Sequence, residues 1–209
     1  MHEHEHQTPL PIIESIAFKS QKNDQLAFEF ASKNHSYYSV WRSILNKLLD
    51  NTIKSKKFSI LDVCSGQGYF VHEAINMGIN ANGIDLDAQF ITKYESLFPD
   101  NKNKISQKNF FRFAQKDFDI YDTFVFLKVL EYSENDLAYI KAIPTKKQIV
   151  ACYPNWDNGL NINFFNNEQD IKNHLKGLVD IQAIETINIS NHTHFLPPQK
   201  VFIIYGNKV

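Results

Sequence analysis

The stretch from Ile60 to Phe70 constrains the fold of this chain more than any other. An apolar run that contains Asp62 leads into the short turn Cys64-Ser65-Gly66-Gln67-Gly68, and an amphipathic segment then continues to Met77. This order predicts a strand, a tight loop and a helix. Because glycine has no Cβ, such a loop lets a ligand approach the backbone closely. The helix that follows presents free N-terminal amides to the same ligand.

A second acid, Asp85, ends the next apolar segment, Ala81 to Ile84. It lies roughly 20 residues beyond the loop, the spacing at which a carboxylate can reach the ribose of a nucleotide. Asp62 lies inside the predicted first strand, where a buried acid costs free energy unless a partner compensates it. A ligand with a cationic amino group would be such a partner, either directly or through water.

These two segments resemble the first two motifs of S-adenosylmethionine-dependent methyltransferases of the Rossmann-like class. The run from Leu61 to Phe70 matches the first motif, except that Cys64 replaces its first glycine, and Gly83-Ile84-Asp85-Leu86-Asp87 matches the second. The resemblance extends from about Phe58 to the C-terminus. It implies that S-adenosylmethionine is the cofactor, with its methionine end near Asp62 and its ribose hydroxyls on Asp85.

The resemblance also implies a wider set of cofactor-binding residues along the chain. We expect this set to be Asp62, Cys64, Ser65, Gly66, Gly68, Asp85, Leu86, Asn109, Phe110 and Leu127. Asn109 could accept a hydrogen bond from the adenine amino group through its amide oxygen, or it could be only a turn residue. Leu127 and Lys128 would lie beside the sulfonium, at the carboxyl end of the fourth strand.

A general base is needed only if the methyl acceptor is a poorly ionised hydroxyl or a protonated amine. Many relatives read Leu-Glu-His after the fourth strand, whereas this chain reads Leu130-Glu131-Tyr132, so no base is carried over at that position. Candidates remain in the N-terminal segment, which often folds over the pocket in relatives, and in the loop before the last strand. These candidates are His35, Tyr37, Tyr38, His192 and His194, with packing tyrosines and solvated histidines as the alternative interpretation.

Apolar and amphipathic segments alternate through the rest of the chain. The pattern predicts strands at Ser59–Val63, Ala81–Asp85, Lys104–Gln107, Thr123–Lys128, Gln148–Cys152, Ile181–Ile187 and Val201–Tyr205. It predicts helices at Phe70–Met77, Ala88–Phe98, Phe110–Ala114 and Asn135–Ile143, with helical character from Gln25 to Leu49. Alternation of this kind predicts a mostly parallel sheet.

The predicted fold class is therefore α/β. We expect a Rossmann-like seven-stranded, mostly parallel sheet with a C-terminal antiparallel hairpin, helices on both faces and an N-terminal helical cap. The expected domains are a flexible tail at 1–11, the helical cap at 12–57 and an S-adenosylmethionine-binding methyltransferase domain at 58–209.

Composition limits the classes of partner. The 209 residues are 43% hydrophobic and carry a net charge of -1, which supports a sizeable core without a bias toward nucleic acid or anionic membrane. We find no transmembrane run or signal peptide and expect Cys64 and Cys152 to be buried free thiols of a reducing cytoplasm. The alternating run His2-Glu3-His4-Glu5-His6 is interpreted as a mobile tail and not as a metal site.

The sequence thus predicts a cytoplasmic bacterial methyltransferase that uses S-adenosylmethionine. Its expected acceptor is an oxygen or nitrogen atom of a small molecule or glycan precursor, with nucleic acid disfavoured. An RNA or protein methyltransferase and a non-catalytic cofactor-binding partner subunit are the alternatives. A nicotinamide-dependent oxidoreductase is a third, which Val71 opposes because it occupies the third glycine position of the dinucleotide motif.

Overall fold

One seven-stranded sheet forms the centre of the computed structural model, which describes residues 37–55, 57–156, 161–189 and 199–209. The strands are β1 (Ser59–Val63), β2 (Asn80–Asp85), β3 (Ile105–Gln107), β4 (Thr123–Phe126), β5 (Gln148–Pro154), β6 (Val179–Ile189) and β7 (Gln199–Lys208). Their order across the sheet is β3-β2-β1-β4-β5-β7-β6. Strands β1 to β5 pair in parallel, and β7 runs antiparallel to both β5 and β6. The predicted parallel sheet with a terminal antiparallel hairpin is confirmed.

Helices cover both faces of the sheet. They are α1 (Tyr38–Lys54), α2 (Tyr69–Asn76), α3 (Ala88–Leu97), α4 (Gln115–Asp119), α5 (Asp136–Ala142) and α6 (Glu168–His174), with single 3-10 segments at Pro99–Lys104, Phe110–Arg112 and Leu130–Tyr132. Because successive strand residues point to opposite faces, Ile60 and Val125 pack with α1, α2 and α3, whereas Leu61 and Phe124 pack with α4, α5 and α6. Each face therefore has its own apolar core.

Helix α1 belongs to the first of these cores. Its residues Val40, Ile44, Leu45 and Leu48 are fully buried, and Trp41 stacks on Tyr69 of α2 with ring centroids 6.0 Å apart. The helix also reaches the terminal hairpin, where Glu185 of β6 accepts hydrogen bonds from Ser43 and Lys47. The predicted helical character from Gln25 overlaps α1, but residues 25–36 lie outside the described part of the chain. The domain boundaries 1–11, 12–57 and 58–209 stay predictions.

Three local predictions were wrong. Strand β4 ends at Phe126 and not at Lys128, because Lys128 has a φ of 52° and cannot continue an extended strand. The helix predicted at Phe110–Ala114 is a 3-10 turn followed by α4. No helix was predicted between β5 and β6, where α6 lies. Helix α6 buries Ile171 alone, so its apolar periodicity is weak, although Asn167 caps it by accepting from the Asp170 amide.

The strand order reverses between β1 and β4, the neighbours at the centre of the sheet. In open α/β sheets, ligands bind in the crevice outside the carboxyl ends of the strands at this point. A ligand is therefore expected to contact the residues that follow β1, β2 and β4.

Candidate functional site

The loop between β1 and α2 consists of residues in unusual backbone conformations. Cys64, Gly66 and Gly68 have φ angles of 59°, 54° and 76°, in the left-handed region. The Gly68 amide closes the turn by donating to the Ser65 carbonyl at 3.0 Å. The two glycines differ in their surroundings. A Cβ on Gly66 would meet no atom within 4 Å, whereas one on Gly68 would collide with Ile105 and with Tyr94. Gly66 therefore borders open space into which a ligand can fit, whereas Gly68 packs against core side chains that leave no room for a Cβ.

Asp62 lies just before this loop, in β1. Its side chain is only 2% exposed, and Oδ1 is buried without a hydrogen-bond partner among the described residues. Burial, with a further contribution from the charge of Asp85, raises the pKa of the Asp62 carboxyl well above its usual range. A cationic group on a ligand would stabilise the ionised carboxylate and satisfy this oxygen.

Asp85 connects the end of β2 to the glycine loop. Its Oδ2 accepts a hydrogen bond from the Gly66 amide at 2.8 Å, and its Oδ1 accepts one from the Asp87 amide at 2.9 Å. Each carboxylate oxygen has a further lone pair, so ligand hydroxyls can still donate to Asp85. The next residue, Leu86, leaves 64% of its surface exposed and offers an apolar platform beside the carboxylate.

Two of the predicted loop residues face the protein. The Ser65 hydroxyl packs against β2, where a Cβ on Gly83 would lie only 2.6 Å from its Oγ. The Cys64 thiol hydrogen-bonds to Tyr139 of α5, and its pKa is raised by burial to about 11. A pKa in that range keeps the thiol protonated at neutral pH. Through their backbone, both residues shape the loop.

The residues after β3 divide between packing and exposure. The Asn109 amide oxygen accepts from the Phe111 amide at 2.9 Å, as a turn residue does. Phe110 is buried in a group of aromatic rings that includes Phe118 and Phe126, whereas the ring of Phe111 is 53% exposed. The adenine role predicted for Asn109 and Phe110 stays a prediction, and Phe111 is the residue here with an accessible ring.

The carboxyl end of β4 carries a cluster that sequence reasoning did not assemble. Leu127 is largely buried, and the ammonium of Lys128 lies 4.8 Å from the centroid of the Tyr37 ring. The Tyr37 hydroxyl donates to Glu131 Oε2 at 3.4 Å, and Glu131 is only 1% exposed. One signal could have found Glu131: it is an acid within an apolar run, as Asp62 is.

This cluster lies on the same side of the sheet as Asp62. Cys152 of β5 is fully buried, and its pKa is raised by burial and then by the negative charges of Glu131 and Asp62. Both carboxylates therefore lie close enough to Cys152 for their charges to raise the pKa of its thiol. The two groups of polar residues form one candidate site at the reversal of the sheet.

The candidate bases are only partly described. Tyr38 begins α1, is partly buried, and packs edge-on against Trp41 with ring centroids 6.5 Å apart. His35, His192 and His194 lie outside the described residues, as does the run His2–His6. Within residues 37–209, apart from the undescribed gaps, no three His, Cys, Asp or Glu side chains form a group that could hold a metal. In the same part of the chain, every helix is too short or too polar to cross a bilayer.

Comparison with solved structures agrees with the geometry. No family model matches the chain, and no curated protein matches its sequence. Magnesium protoporphyrin IX methyltransferase from Synechocystis PCC 6803, solved with bound S-adenosylhomocysteine, superposes with a TM-score of 0.59 at 13% identity over 92% of this chain and 96% of its own. An S-adenosylmethionine-dependent methyltransferase from Mesorhizobium loti gives 0.57 at 12% identity, over 85% and 100%. This chain has the fold of the S-adenosylmethionine-dependent methyltransferases.

A Thermoplasma acidophilum protein is similar to this chain to the same degree, with a TM-score of 0.61 at 13% identity over 88% of this chain and 97% of its own. The likeness therefore extends over nearly the whole length of each solved structure. At these identities it establishes the methyltransferase fold, and the residues of the site carry the argument for function.

Proposed function

We propose that this protein is a methyltransferase that binds S-adenosylmethionine and transfers its methyl group to an oxygen or nitrogen atom of a small molecule or glycan precursor. The observation that carries this proposal is the buried Oδ1 of Asp62, which has no partner among the described residues and lies next to the open loop at Gly66. A carboxylate in that position is costly alone and favourable opposite a cation. The amino group of S-adenosylmethionine is such a cation.

Different residues of the site would bind different parts of the cofactor. Asp62 would balance the charge of the amino group, Gly66 would allow the ligand close to the backbone, and Asp85 would accept hydrogen bonds from the ribose hydroxyls. Leu86 and Phe111 would provide exposed apolar surface for the base. The bound cofactor supplies a methyl carbon already activated by its sulfonium. The task of the protein is then to align that carbon with the acceptor and to exclude water.

The acceptor class rests on separate observations. The chain has a net charge of -1, which gives no general attraction for a polyanion. Helix α1 packs beside the carboxyl end of β4, where the Tyr37 side chain contacts Glu131. These features favour a small acceptor held under α1 over an extended nucleic acid. Cytoplasmic location and bacterial origin remain part of this proposal.

Isothermal titration calorimetry with S-adenosylhomocysteine, S-adenosylmethionine and NAD tests the cofactor. We expect the two adenosyl sulfur compounds to bind and NAD not to bind. Asp85→Ala should weaken S-adenosylhomocysteine binding by about 1–3 kcal/mol, the scale of lost hydrogen bonds to a charged group. Asp100→Ala, at an exposed position after α3, is the matched control and should bind as the wild type does. Binding of NAD alone, or an unchanged affinity in Asp85→Ala, would contradict the proposal.

A further inference from the structure

Lys128 occupies a strained position at the carboxyl end of β4. Its φ of 52° places a long side chain in the left-handed region, which non-glycine residues adopt only at a cost in free energy. Strain of this kind persists where the surrounding structure enforces it, and such positions cluster at functional sites. The strained residue belongs to the cluster that also contains Tyr37 and Glu131.

The ammonium of Lys128 is partly buried and lacks a hydrogen-bond acceptor among the described residues. It lies over the Tyr37 ring, and no carboxylate lies within ion-pair distance of it in the described part of the chain. Burial lowers the pKa of Lys128, and the negative charge of Glu131 opposes this with a smaller effect. The oxygens of Glu131 already accept hydrogen bonds from Tyr37 and Tyr132.

Lys47 provides a contrast within the same chain. Its ammonium also lies over a tyrosine ring, 3.9 Å from the centroid of Tyr205, but it donates a hydrogen bond to Glu185 Oε1 at 2.7 Å. One such lysine is therefore paired with a carboxylate, whereas the described residues provide no acceptor for the N–H donors of the other, at the reversal of the sheet. A partly buried ammonium can form strong charge-assisted hydrogen bonds with an anionic ligand.

We propose that Lys128 binds an anionic group of the methyl acceptor, so that the acceptor is a small acid. This inference rests on the proposed methyltransferase function and names the substrate class for the same site. The ammonium lies over the Tyr37 ring at the end of β4, and the acidic group of the acceptor would accept its hydrogen bonds. The acceptor atom is thereby positioned where ligands bind in this fold.

The surroundings favour an acid with an apolar body. Tyr132 follows Glu131 directly, and the Ile162 amide donates to the Glu131 carbonyl at 2.7 Å. Both side chains remain well exposed, as does that of Phe164. Benzoate is therefore a suitable probe, with benzamide as its neutral counterpart of the same shape and inorganic phosphate as an anion without an apolar body.

The test is an NMR titration of the S-adenosylhomocysteine complex with benzoate, benzamide and phosphate, followed at the backbone amides of residues 127–132. We expect benzoate to bind at least about tenfold more tightly than benzamide, since a charge-assisted hydrogen bond is worth that much. Lys128→Met should remove the difference and Lys128→Arg should keep most of it. Lys47→Met is the matched control and should leave it unchanged. Tighter binding of phosphate than of benzoate would identify the anion as a phosphate.

Two results would overturn this inference while leaving the proposed function intact. One is wild-type protein that binds S-adenosylhomocysteine but does not distinguish either anion from benzamide. The other is a Lys128→Met variant that loses affinity for S-adenosylhomocysteine but not for methylthioadenosine, which lacks the amino-acid end. Lys128 would then bind the carboxylate of the cofactor. Failure of the wild type to bind S-adenosylhomocysteine at all would instead contradict the proposed function.

Discussion

Asp62 is the residue whose ionisation should control both stability and cofactor affinity. Its carboxyl ionises near 3.8 in the unfolded chain, but burial holds its pKa well above that in the folded protein. Between these two pKa values the folded state binds the extra proton. The stability contributed by Asp62 is therefore fully present below its unfolded pKa and is lost as the pH rises through its folded pKa.

We predict that Asp62→Asn removes this dependence. Without cofactor, the variant should be more stable than the wild type at neutral pH. Its free energy of unfolding should lack the decrease with pH, of up to about 1.4 kcal/mol per pH unit, that Asp62 causes in the wild type. Its affinity for S-adenosylmethionine should fall and lose the increase with pH that ionisation of Asp62 causes in the wild type. Urea denaturation and calorimetry across the acid-to-neutral range measure both quantities. An unchanged pH slope would show that Asp62 titrates alike in the folded and unfolded states.

Candidate site residues could be proposed from the sequence where they belong to a short motif. Asp62, Gly66 and Asp85 lie within two short motifs, and the structure brings Gly66 and Asp85 into contact through the hydrogen bond at 2.8 Å. Glu131 and Tyr37 were not joined by sequence reasoning because 94 positions separate them along the chain. Only the packing of α1 against the sheet brings the two together, and no local pattern encodes that distance.

At the scale of elements, the loop between β1 and α2 allows a matched pair of substitutions. Gly66→Ala and Gly68→Ala both place a Cβ on a left-handed residue, which costs about 1–2 kcal/mol. Only the second also collides with Ile105 and Tyr94, which adds about 1–3 kcal/mol of overpacking. We therefore predict that Gly66→Ala is the more stable variant but loses cofactor affinity, because its Cβ enters the ligand space. Urea denaturation gives the stabilities and calorimetry gives the affinities.

The opposite ranking of stabilities would contradict this assignment of the two glycines. So would tight cofactor binding by a folded Gly66→Ala variant, since the loop would then face away from the ligand.

Elements were predictable where their apolar pattern is strong. Strand β1 was predicted with its observed limits, and β2 and α3 to within one residue. The end of β4 was misplaced because the run Leu127-Lys128-Val129 continues the apolar pattern, whereas the backbone turns at Lys128. Helix α6 was missed because most of its residues are polar and exposed, although its capping residue and terminal charges were present in the sequence.

For the whole molecule, the mostly parallel sheet followed from the alternation of strands and helices, and its terminal antiparallel hairpin from the close spacing of the last two strands and from the resemblance. The face of the sheet on which α1 packs was not predicted, and the domain boundary at residue 57 stays a prediction. The sequence suggested a cap distinct from the sheet domain, with a boundary at residue 57. In the structure, α1 packs into the core of one face, against β-strand residues such as Ile60 and Val125. Whether this helix unfolds with the sheet is then a question about cooperativity.

We predict that α1 and the sheet unfold together. Ile44 of α1 and Ile140 of α5 are both fully buried, in the cores on opposite faces. Each Ile→Val substitution should lower the free energy of unfolding by about 0.5–1.5 kcal/mol. Because the two sites lie in separate cores on opposite faces of the sheet, the double variant should show the sum to within about 0.5 kcal/mol. Urea denaturation followed by circular dichroism and by the fluorescence of Trp41 and Trp156 should give one common transition. A contradicting result would be a fluorescence transition at lower urea than the circular dichroism transition, shifted by Ile44→Val and not by Ile140→Val. The helical cap would then be a separate unit, because a helix that unfolds independently does not change the stability of the opposite face.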